Sequence, residues 1–570
     1  MIKNVIKCII ALLIIVNHNY SQTNPKTEEW LEDIDYLVGR IEVQHPNIYA
    51  NVSKEEFIKA EQDLKKLVPF LSDQKIVFGI QELLARIKDM HTSIAPWQTE
   101  DSTVLSYFSM YPAFFYQFSD GIFIKATSEN HKDVLGYKVV KFGNTTADDT
   151  RDKIMTLING DNYNGRLAMC DLYLSLVGAF DYCGIGLDNE KLTLTLEDDK
   201  SEQFEYTIEP LSFGEVVQLI VAARNGKKEK GFYKLNDLSE NPVPLYLSKP
   251  GDAYWYKYIP EHKTMFVYLK EMQPKSDGDF DRFYKEVLDE FDKTGAEKLV
   301  LDIRNNGGGD HFEMPLLKGV IARPKLDKPD NLFVIIGRIT GSASQHFATQ
   351  FDIYTNATFL GENTGGRPNH YGAQRPFTLP NSKLPVRTSQ IYHQDATEWD
   401  MADCTKPDFY VELSSGNYRN NEDPVLDFVF HFDEVKNLKE EFKTQLLDAY
   451  KNGGYEELEL AYDDFIKKYG STGIDKGMLI NNFLYWLSPN RKDNEDYKKF
   501  LELYTDECPN DTESWYALAR RNDVEGKKDL AEKYYKKALQ VFPGNSLAER
   551  MLRLMLFEEK QSDLFMNENN

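Results

Sequence analysis

Two short segments combine small residues with groups that can take part in acyl transfer. The first, Asp302–Asp310, has the sequence Asp-Ile-Arg-Asn-Asn-Gly-Gly-Gly-Asp and overlaps the end of an apolar run, Leu299–Ile303. Glycines let the backbone approach a ligand closely, and their N–H groups can donate to an anion. A tight turn is one alternative, and a phosphate loop is another, but no Gly-Lys-Ser/Thr follows. A developing oxyanion is the remaining candidate.

The second segment, Thr340–Gln345, has the sequence Thr-Gly-Ser-Ala-Ser-Gln and follows an apolar run that ends at Ile336. A serine where a turn enters a helix stands at the positive helix end, with its hydroxyl exposed. An ordinary serine N-cap is the alternative. Because open α/β sheets place their sites at the ends of their strands, the two segments together predict a nucleophile, Ser342, beside an oxyanion cradle.

The elements that must position these segments follow from the apolar pattern. Strands and helices alternate between residues 254 and 430, which predicts an α/β domain with crossovers. Residues 28–86 have helical spacing and lead into Asp89-Met90-His91-Thr92, whereas 111–210 contains short apolar runs separated by glycines, which predicts a compact β-rich module.

The C-terminal part is predicted to be helical. One segment matches the spacing of a tetratricopeptide repeat at Trp515, Leu518, Ala519, Gly526, Ala531, Tyr535, Ala538 and Pro543. A plain helical cap on the preceding domain is the alternative. The predicted divisions are a signal peptide 1–22, a helical N-terminal domain 23–105, a β-rich PDZ-like module 106–250, a catalytic α/β core 251–432, a tetratricopeptide-like region 433–560 and a disordered tail 561–570.

The net charge and the N-terminal residues limit the kinds of binding partner and the location that we expect for this protein. The 570 residues carry a net charge of −24, which disfavours nucleic acid and anionic membrane surfaces. Lys3 and Lys7 precede or interrupt the apolar run Val5–Val16, which predicts a cleaved signal peptide, with a membrane anchor as the alternative. We therefore expect an exported protein, periplasmic or secreted, without stable membrane insertion after cleavage. Cys170 and Cys183 are compatible with a disulfide or with free thiols.

In order and setting, Asp302–Gly309 and Thr340–Gln345 resemble the motifs of the tail-specific (C-terminal processing) and Tricorn-core serine peptidases. Gly361–Gly366 and Pro407-Asp408 extend the likeness. The resemblance implies an α+β multidomain protein with a crotonase-like, ClpP-like α/β core. It also makes the helical N-terminal domain and the PDZ-like module that family's companion domains.

The resemblance also implies roles for individual residues. Ser342 matches the nucleophile, and the N–H groups of Ala343 and Gly308 match the oxyanion donors, with Gly309 as a substitute for Gly308. The bacterial branch has a lysine base where this chain has Arg367. A guanidinium stays protonated and cannot accept the serine proton, so a Ser–Lys dyad is not expected. Arg367 is instead a candidate for binding a substrate carboxylate, or for pairing with Glu362.

The Tricorn-like branch takes a histidine base from the helical N-terminal domain, and His91 resembles that position. Asp89 has two alternative roles: it orients His91, or it only caps a helix. The same branch places an acid before the proline–aspartate, which makes Asp400 and Asp403 candidates. Three other histidines, His311, His346 and His370, remain rivals because they lie closer to Ser342 in sequence.

The expected reaction is peptide hydrolysis through a Ser342 acyl-enzyme, without a metal or organic cofactor. The expected substrates are peptides or unfolded proteins, and the helical repeats are expected to dock a protein partner. Two alternatives stay open. One is a non-catalytic ligand- or peptide-binding protein on the same fold, and the other is a scaffold whose function lies in the repeats.

Overall fold

The structure, a computed structural model, describes residues 24–557 except for 225–230, 275, 277, 311–313, 398–401, 470–475, 477–478, 481–482, 485–494, 510, 542–546 and 556. The predicted signal peptide, 1–22, and the predicted tail, 561–570, lie outside the described residues. Within the described part of the chain, no helix combines the length and apolar character needed to cross a bilayer.

The N-terminal part is helical, as its spacing predicts. Its elements are α1 (Thr27–Gln44), α2 (Lys54–Leu67), α3 (Asp73–Ala85), a two-residue strand β1 (Ser93–Ile94) and α4 (Ser102–Ser106). One face of α1 is buried at Trp30, Ile34, Leu37 and Ile41, which confirms the helical spacing read from the sequence. The turn that carries His91 therefore lies between α3 and β1.

An antiparallel sheet of seven strands follows. The strands are β2 (Ala113–Phe118), β3 (Gly121–Ser128), β4 (Lys138–Phe142), β5 (Thr145–Thr146), β6 (Leu192–Glu197), β7 (Gln203–Ile208) and β8 (Phe232–Lys234). Its path is β2-β3-β4-β6-β7, with β5 beside β4 and β8 beside β3.

Four helices accompany this sheet and were not predicted. They are α5 (Ala147–Met155), α6 (Tyr163–Tyr173), α7 (Val177–Tyr182) and α8 (Phe213–Arg224). Sequence periodicity misses α5 because most of its residues are charged, and it misses α7 because six residues are too short to show a helical period. The helices and the sheet share one apolar core with α1–α3.

A six-stranded sheet forms the centre of the chain. Its elements are α9 (Leu245–Ser248), β9 (Tyr254–Ile259), β10 (Thr264–Leu269), α10 (Asp279–Thr294), β11 (Lys298–Asp302), α11 (Met314–Ile321), β12 (Leu332–Ile336), α12 (Ala343–Tyr354) and β13 (Thr358–Gly361). The strand order is β18-β13-β12-β11-β10-β9, in which only β9 is antiparallel to its neighbour. Side chains of alternate residues pack into apolar clusters on both faces, which explains the continuous apolar runs in the sequence.

Short strands after β13 join the N-terminal part to this sheet. They are β14 (Asn369–Gly372), β15 (Arg375–Thr378), β16 (Pro385–Thr388), β17 (Ile391–Gln394) and β18 (Phe409–Tyr410). β14 pairs with β17, and β16 lies between β15 and β1, antiparallel to both. The pairing of β1 with β16 fixes the chain immediately after His91 to a segment that follows Ser342.

The C-terminal part is helical. Its helices are α13 (Ser415–Arg419), α14 (Pro424–Phe430), α15 (Phe432–Tyr469), α16 (Glu495–Glu507), α17 (Thr512–Val524) and α18 (Lys528–Val541). Helices α17 and α18 form a hairpin that buries Ala519, Ala531, Tyr535 and Ala538. The protein as a whole is a mixed helix-and-sheet multidomain molecule, as predicted.

Candidate active site

Ser342 occupies a strained turn at the start of α12. Its φ of 54° and ψ of −127° are unusual for a residue with a side chain, and such conformations cost on the order of 1–3 kcal/mol. The Ser342 side chain makes no capping hydrogen bond to the helix. Ser342 is therefore not an ordinary N-cap, because its hydroxyl does not bind the helix. The hydroxyl is available to bind another group.

Neighbouring residues hold the turn against the glycine loop. Ser344 Oγ donates to Asn306 O at 2.5 Å and accepts the Gly341 N–H at 2.9 Å. Thr340 Oγ1 donates to Ile303 O at 3.0 Å. These buried bonds join the two sequence motifs directly, which gives the strained Ser342 backbone the support it requires.

His91 is the partner of the Ser342 hydroxyl. Its Nε2 lies 3.1 Å from Ser342 Oγ, although the two residues are 251 positions apart. The turn before His91 is held by the Met90 N–H, which donates to Asp161 Oδ1 at 2.9 Å. Met90 also packs so closely on Gly341 that a Cβ at residue 341 would stand 2.9 Å from Met90 Cε.

Asp89 lies behind His91 and is fully buried. Its Oδ1 accepts the His91 backbone N–H at 2.9 Å and lies 3.7 Å from His91 Nδ1. Its Oδ2 accepts hydrogen bonds from Thr92 Oγ1 at 2.5 Å and from Ser389 Oγ at 2.7 Å. Burial alone would raise the pKa of Asp89, but hydrogen bonds from His45 and its other donors outweigh burial and lower it well below its usual range. Asp89 is therefore an ionised carboxylate in the protein interior.

His45 supplies a further donor to Asp89. His45 Nε2 lies 3.1 Å from Asp89 Oδ2, and both side chains have no exposed surface. His45 Nδ1 accepts the Asn47 N–H at 3.0 Å, so the ring proton must be on Nε2. The Asn47 backbone thus fixes the tautomer in which His45 donates to Asp89.

The electrostatic surroundings of His91 favour its protonated form. Burial of the imidazole lowers the pKa of His91, but the Asp89 carboxylate raises it by more, so that it lies above 6.5. At 3.7 Å, Asp89 acts on His91 Nδ1 as a nearby charge, and Nδ1 has no hydrogen-bond partner among the described residues. Burial and the Asp89 charge raise the pKa of the neighbouring Asp161 to about 6.

The predicted oxyanion donors lie beside Ser342, but they differ in their hydrogen bonding. Gly308 is so close that a Cβ there would stand 2.6 Å from Ser342 Cβ. The Gly308 N–H donates to Asn306 Oδ1 at 2.9 Å. The N–H groups of Gly309 and Ala343 donate to no acceptor in the described part of the chain. In this conformation, therefore, Ala343 and Gly309 have the available donors.

Arg367 joins the core to the N-terminal part. Its Nε donates to Asp161 O at 2.7 Å and its Nη1 donates to Asn51 Oδ1 at 2.9 Å. Glu362, considered as its partner from the sequence, forms an ion pair with Arg338 instead. The expectation that Arg367 binds substrate stays a prediction, and part of its guanidinium is already engaged.

The remaining candidates lie in different surroundings. Asp400 and His311 lie outside the described residues. The Asp403 backbone O accepts Asn162 Nδ2 at 2.7 Å, and its carboxylate forms no hydrogen bond with His91 or Ser342.

The two rival histidines within the described chain have partners of their own. His346 Nδ1 lies 2.7 Å from Asp395 Oδ1. The His370 ring stacks 6.2 Å from that of His91, and burial lowers the pKa of His370 to about 4. Of the histidines that the structure describes, His91 is the one within hydrogen-bond distance of Ser342 Oγ.

Three residues of the site, His45, Ser389 and Asp161, were not predicted from the sequence. His45 directly follows α1 and precedes a proline, and Ser389 directly follows β16. Neither residue lies in a sequence pattern that is typical of a catalytic or binding site. No grouping of His, Cys, Asp and Glu within the described residues is arranged to hold a metal ion. Cys170 and Cys183, left open from the sequence, are both free thiols.

Comparison with known proteins gives one relative in sequence. No family model matches this chain. A stretch of 104 residues is 30% identical to the tail-specific protease of Haemophilus influenzae. The match covers 15% of this chain, and the chain spans only about 15% of the length of that relative. The resemblance predicted from the motifs is confirmed by this relative.

Several solved structures are similar over longer stretches. Mature CPAF is 11% identical, with 73% of this chain and 97% of that chain covered and a TM-score of 0.49. The tricorn protease is 14% identical, with 71% and 36% covered and a TM-score of 0.30. A putative S41 protease from Bacteroides fragilis is 12% identical, with 57% and 83% covered and a TM-score of 0.25. At these low TM-scores the likenesses support no conclusion.

Proposed function

We propose that this chain, which resembles the tail-specific proteases, is a serine peptidase with Ser342 as nucleophile and His91 as general base. One observation carries the proposal: His91 Nε2 lies 3.1 Å from the hydroxyl of Ser342, whose strained backbone leaves that hydroxyl uncommitted to the helix. A base within hydrogen-bond distance is the first requirement for activating a serine.

The proposed reaction has two halves. Ser342 Oγ attacks the peptide carbonyl carbon while His91 Nε2 takes the hydroxyl proton. His91 then gives that proton to the leaving amine nitrogen as the C–N bond breaks, which leaves an ester on Ser342. In the second half, water attacks the ester carbonyl carbon while His91 Nε2 accepts a proton from the water. The bond between that carbon and Ser342 Oγ then breaks, His91 returns the proton to Oγ, and the acid product leaves. The Asp89 carboxylate stabilises the imidazolium that forms in each half, because it is ionised and fixed by buried donors.

The oxygen of the attacked substrate carbonyl becomes negatively charged, and it requires hydrogen-bond donors that are already positioned before the reaction. We assign this role to the Ala343 N–H at the positive end of α12, together with the Gly309 N–H. Both N–H groups lack acceptors among the described residues. Gly308 can contribute only after its N–H leaves Asn306 Oδ1, so its role requires a local rotation of the glycine loop.

A serine-reactive fluorophosphonate probe tests the proposal directly. Wild-type protein should be labelled, with loss of labelling in Ser342→Ala and strong reduction in His91→Gln. Heat-denatured wild type is the control for non-specific reaction. Peptide hydrolysis should fall in parallel in both variants. Absence of labelling and hydrolysis in a folded wild-type protein would reject the peptidase and favour the peptide- or ligand-binding alternative.

The finer architecture belongs to the same proposal. We assign a crotonase-like core to residues 251–432, a PDZ-like module to 106–250 and tetratricopeptide-like repeats to 433–560. The α17–α18 hairpin, with its small and aromatic residues buried, supports the repeat assignment. Deletion of 433–560 tests whether the repeats are needed for peptide hydrolysis or only for binding a partner.

We also propose that the protein is exported after removal of residues 1–22, to a periplasm or beyond the cell. The basic and apolar residues at the start of the sequence support this proposal. N-terminal sequencing of protein recovered from an extracytoplasmic fraction is the test. A mature chain that begins after residue 22 would support export, and an intact Met1 on all of the protein would contradict it.

A further inference from the structure

Arg387, in strand β16, has a guanidinium without an acidic partner. Arg387 stands opposite Ser93 in the β1–β16 pairing, and its Nε donates to Ser93 Oγ at 3.0 Å. Its guanidinium also lies 5.0 Å from the centre of the Trp97 ring. Beyond these contacts, it forms no ion pair or hydrogen bond with any residue that the structure describes.

Two other arginines of the central part contact carboxylates, in contrast to Arg387. Arg304 binds both oxygens of Asp423, at 2.7 and 3.0 Å. Arg338 binds Glu362 through two of its nitrogens. Both pairings are expected, since removing a guanidinium from water is costly unless a carboxylate compensates for it. Arg387 is also only partly exposed to water, but no described carboxylate contacts it, and the charge of Asp89 acts on its guanidinium only through space.

The position of Arg387 places its charge beside the base. Ser93 follows His91 by two residues, so the Nε–Ser93 bond holds the guanidinium next to the turn that carries His91. The charge of Arg387 acts to lower the pKa of His91, which agrees with this proximity. Burial lowers the pKa of Arg387 itself and the Asp89 charge acts to raise it, and the guanidinium stays charged at neutral pH.

We propose that Arg387 determines specificity by binding a carboxylate group of the substrate, and this inference rests on the proposed peptidase function. Its Nε is committed to Ser93, but its two Nη amino groups remain as a planar fork that matches a carboxylate. Trp97, with 51% of its surface exposed, lies against the guanidinium, and neither Nη group forms a hydrogen bond with a described residue. Two sources supply this group: an acidic side chain or the C-terminal carboxylate of a peptide.

Four forms of a ten-residue peptide distinguish these two sources. One position of the peptide is fixed, and the other positions carry an equimolar mixture of residues. A fixed glutamate or glutamine is combined with a free or an amidated C-terminus. Hydrolysis by wild type, followed by mass spectrometry, gives the preference for each carboxylate. Equilibrium binding of fluorescein-labelled forms to Ser342→Ala gives the same preference without requiring any chemistry.

We expect wild type and the Ser342→Ala protein to favour one carboxylate-bearing form by about tenfold or more over the fully neutral peptide. Arg387→Met should abolish the preference, and Arg387→Lys should retain part of it because a charge remains without the fork. The matched control is Arg375→Met, which removes an exposed arginine from the neighbouring strand β15 and should leave the preference intact. A thermal melt of each variant checks folding.

The inference is overturned if no form is preferred, or if Arg387→Met retains the wild-type preference. Hydrolysis and probe labelling without a carboxylate preference would reject the role of Arg387 and leave the peptidase standing. Arg387-dependent binding without labelling or hydrolysis would reject the peptidase and leave the carboxylate site standing.

Discussion

His45 and Asp89 form a buried pair in which the imidazole Nε2 lies 3.1 Å from the carboxylate Oδ2. Asp89 in turn lies behind His91, which reaches the Ser342 hydroxyl. The site therefore contains two imidazoles beside one carboxylate, and of these two only His91 lies within hydrogen-bond distance of Ser342 Oγ. His45 acts by positioning and stabilising Asp89.

Replacement of His45 should destabilise the protein. His45→Phe removes a donor from a buried charge, so we expect a loss of about 1–3 kcal/mol in the free energy of unfolding. His45→Gln should lose less, because a carboxamide N–H can still donate. Urea titrations of both variants measure the difference. Equal stability of His45→Phe and wild type would show that the bond contributes nothing.

Replacement of Asp89 by asparagine should change the pH dependence of hydrolysis. The base must be neutral, so wild-type kcat/KM should rise as the pH rises through the pKa of His91, which lies above 6.5. Asp89→Asn removes the negative charge that raises that pKa, so the rise should move to lower pH. The plateau should fall by roughly 10²–10⁴-fold, since the imidazolium loses its stabilising carboxylate. An unshifted acid limb in Asp89→Asn would exclude Asp89 as the charge that controls His91.

Replacement of Gly308 or Gly307 by alanine should have different effects on kcat, although the two glycines are adjacent in the loop. Gly308 has a φ of 112°, and a Cβ there would stand 2.6 Å from Ser342 Cβ. Gly308→Ala should therefore displace Ser342 and reduce kcat by about 10²-fold or more. Gly307→Ala is the matched control, because nothing lies within 4 Å of a Cβ at that position. Similar kcat values for both variants would mean that the Gly308–Ser342 approach is not required for hydrolysis.

Replacement of Arg338 should destabilise the protein, because this residue joins the β-rich part to the loop that carries Ser342. It precedes Ser342 in the same loop, binds Glu362 and donates to Gln117 O in β2 at 2.9 Å. Arg338→Met leaves Glu362 without its main partner, so we expect a loss of about 3–5 kcal/mol in the free energy of unfolding.

A double-mutant cycle separates the Arg338–Glu362 pair from the other contacts of Arg338. Adding Glu362→Gln to Arg338→Met should restore part of the stability, because the unpaired charge is then removed. Additive losses in urea denaturation would show that the two side chains do not interact.

Local patterns were sufficient to predict that the Ser342 turn and the glycine loop lie side by side. Both follow strands with continuous apolar runs, and such strands are buried in parallel sheets whose carboxyl ends meet. β11 and β12 are adjacent and parallel in the structure, which brings the two segments together as expected. The sequence was informative here because each strand carries its own signal.

The surroundings of the base could not be predicted in the same way. β1 contains two residues and has no period, so its pairing with β16 leaves no trace in the sequence. His45 and Ser389 reach Asp89 only because that pairing and the end of α1 converge on the same interior point. Hydrogen bonds between distant residues depend on the completed fold, and single-sequence patterns report only local structure.

The β1–β16 pairing also means that the surroundings of His91 are completed by residues that follow Ser342 in the chain. A chain truncated soon after Ser342 still contains both Ser342 and His91. It still lacks β16, which anchors the segment after His91, and Ser389, which binds Asp89. On the proposed function, a chain truncated between residues 342 and 385 should therefore lack hydrolytic activity although it carries both reacting side chains.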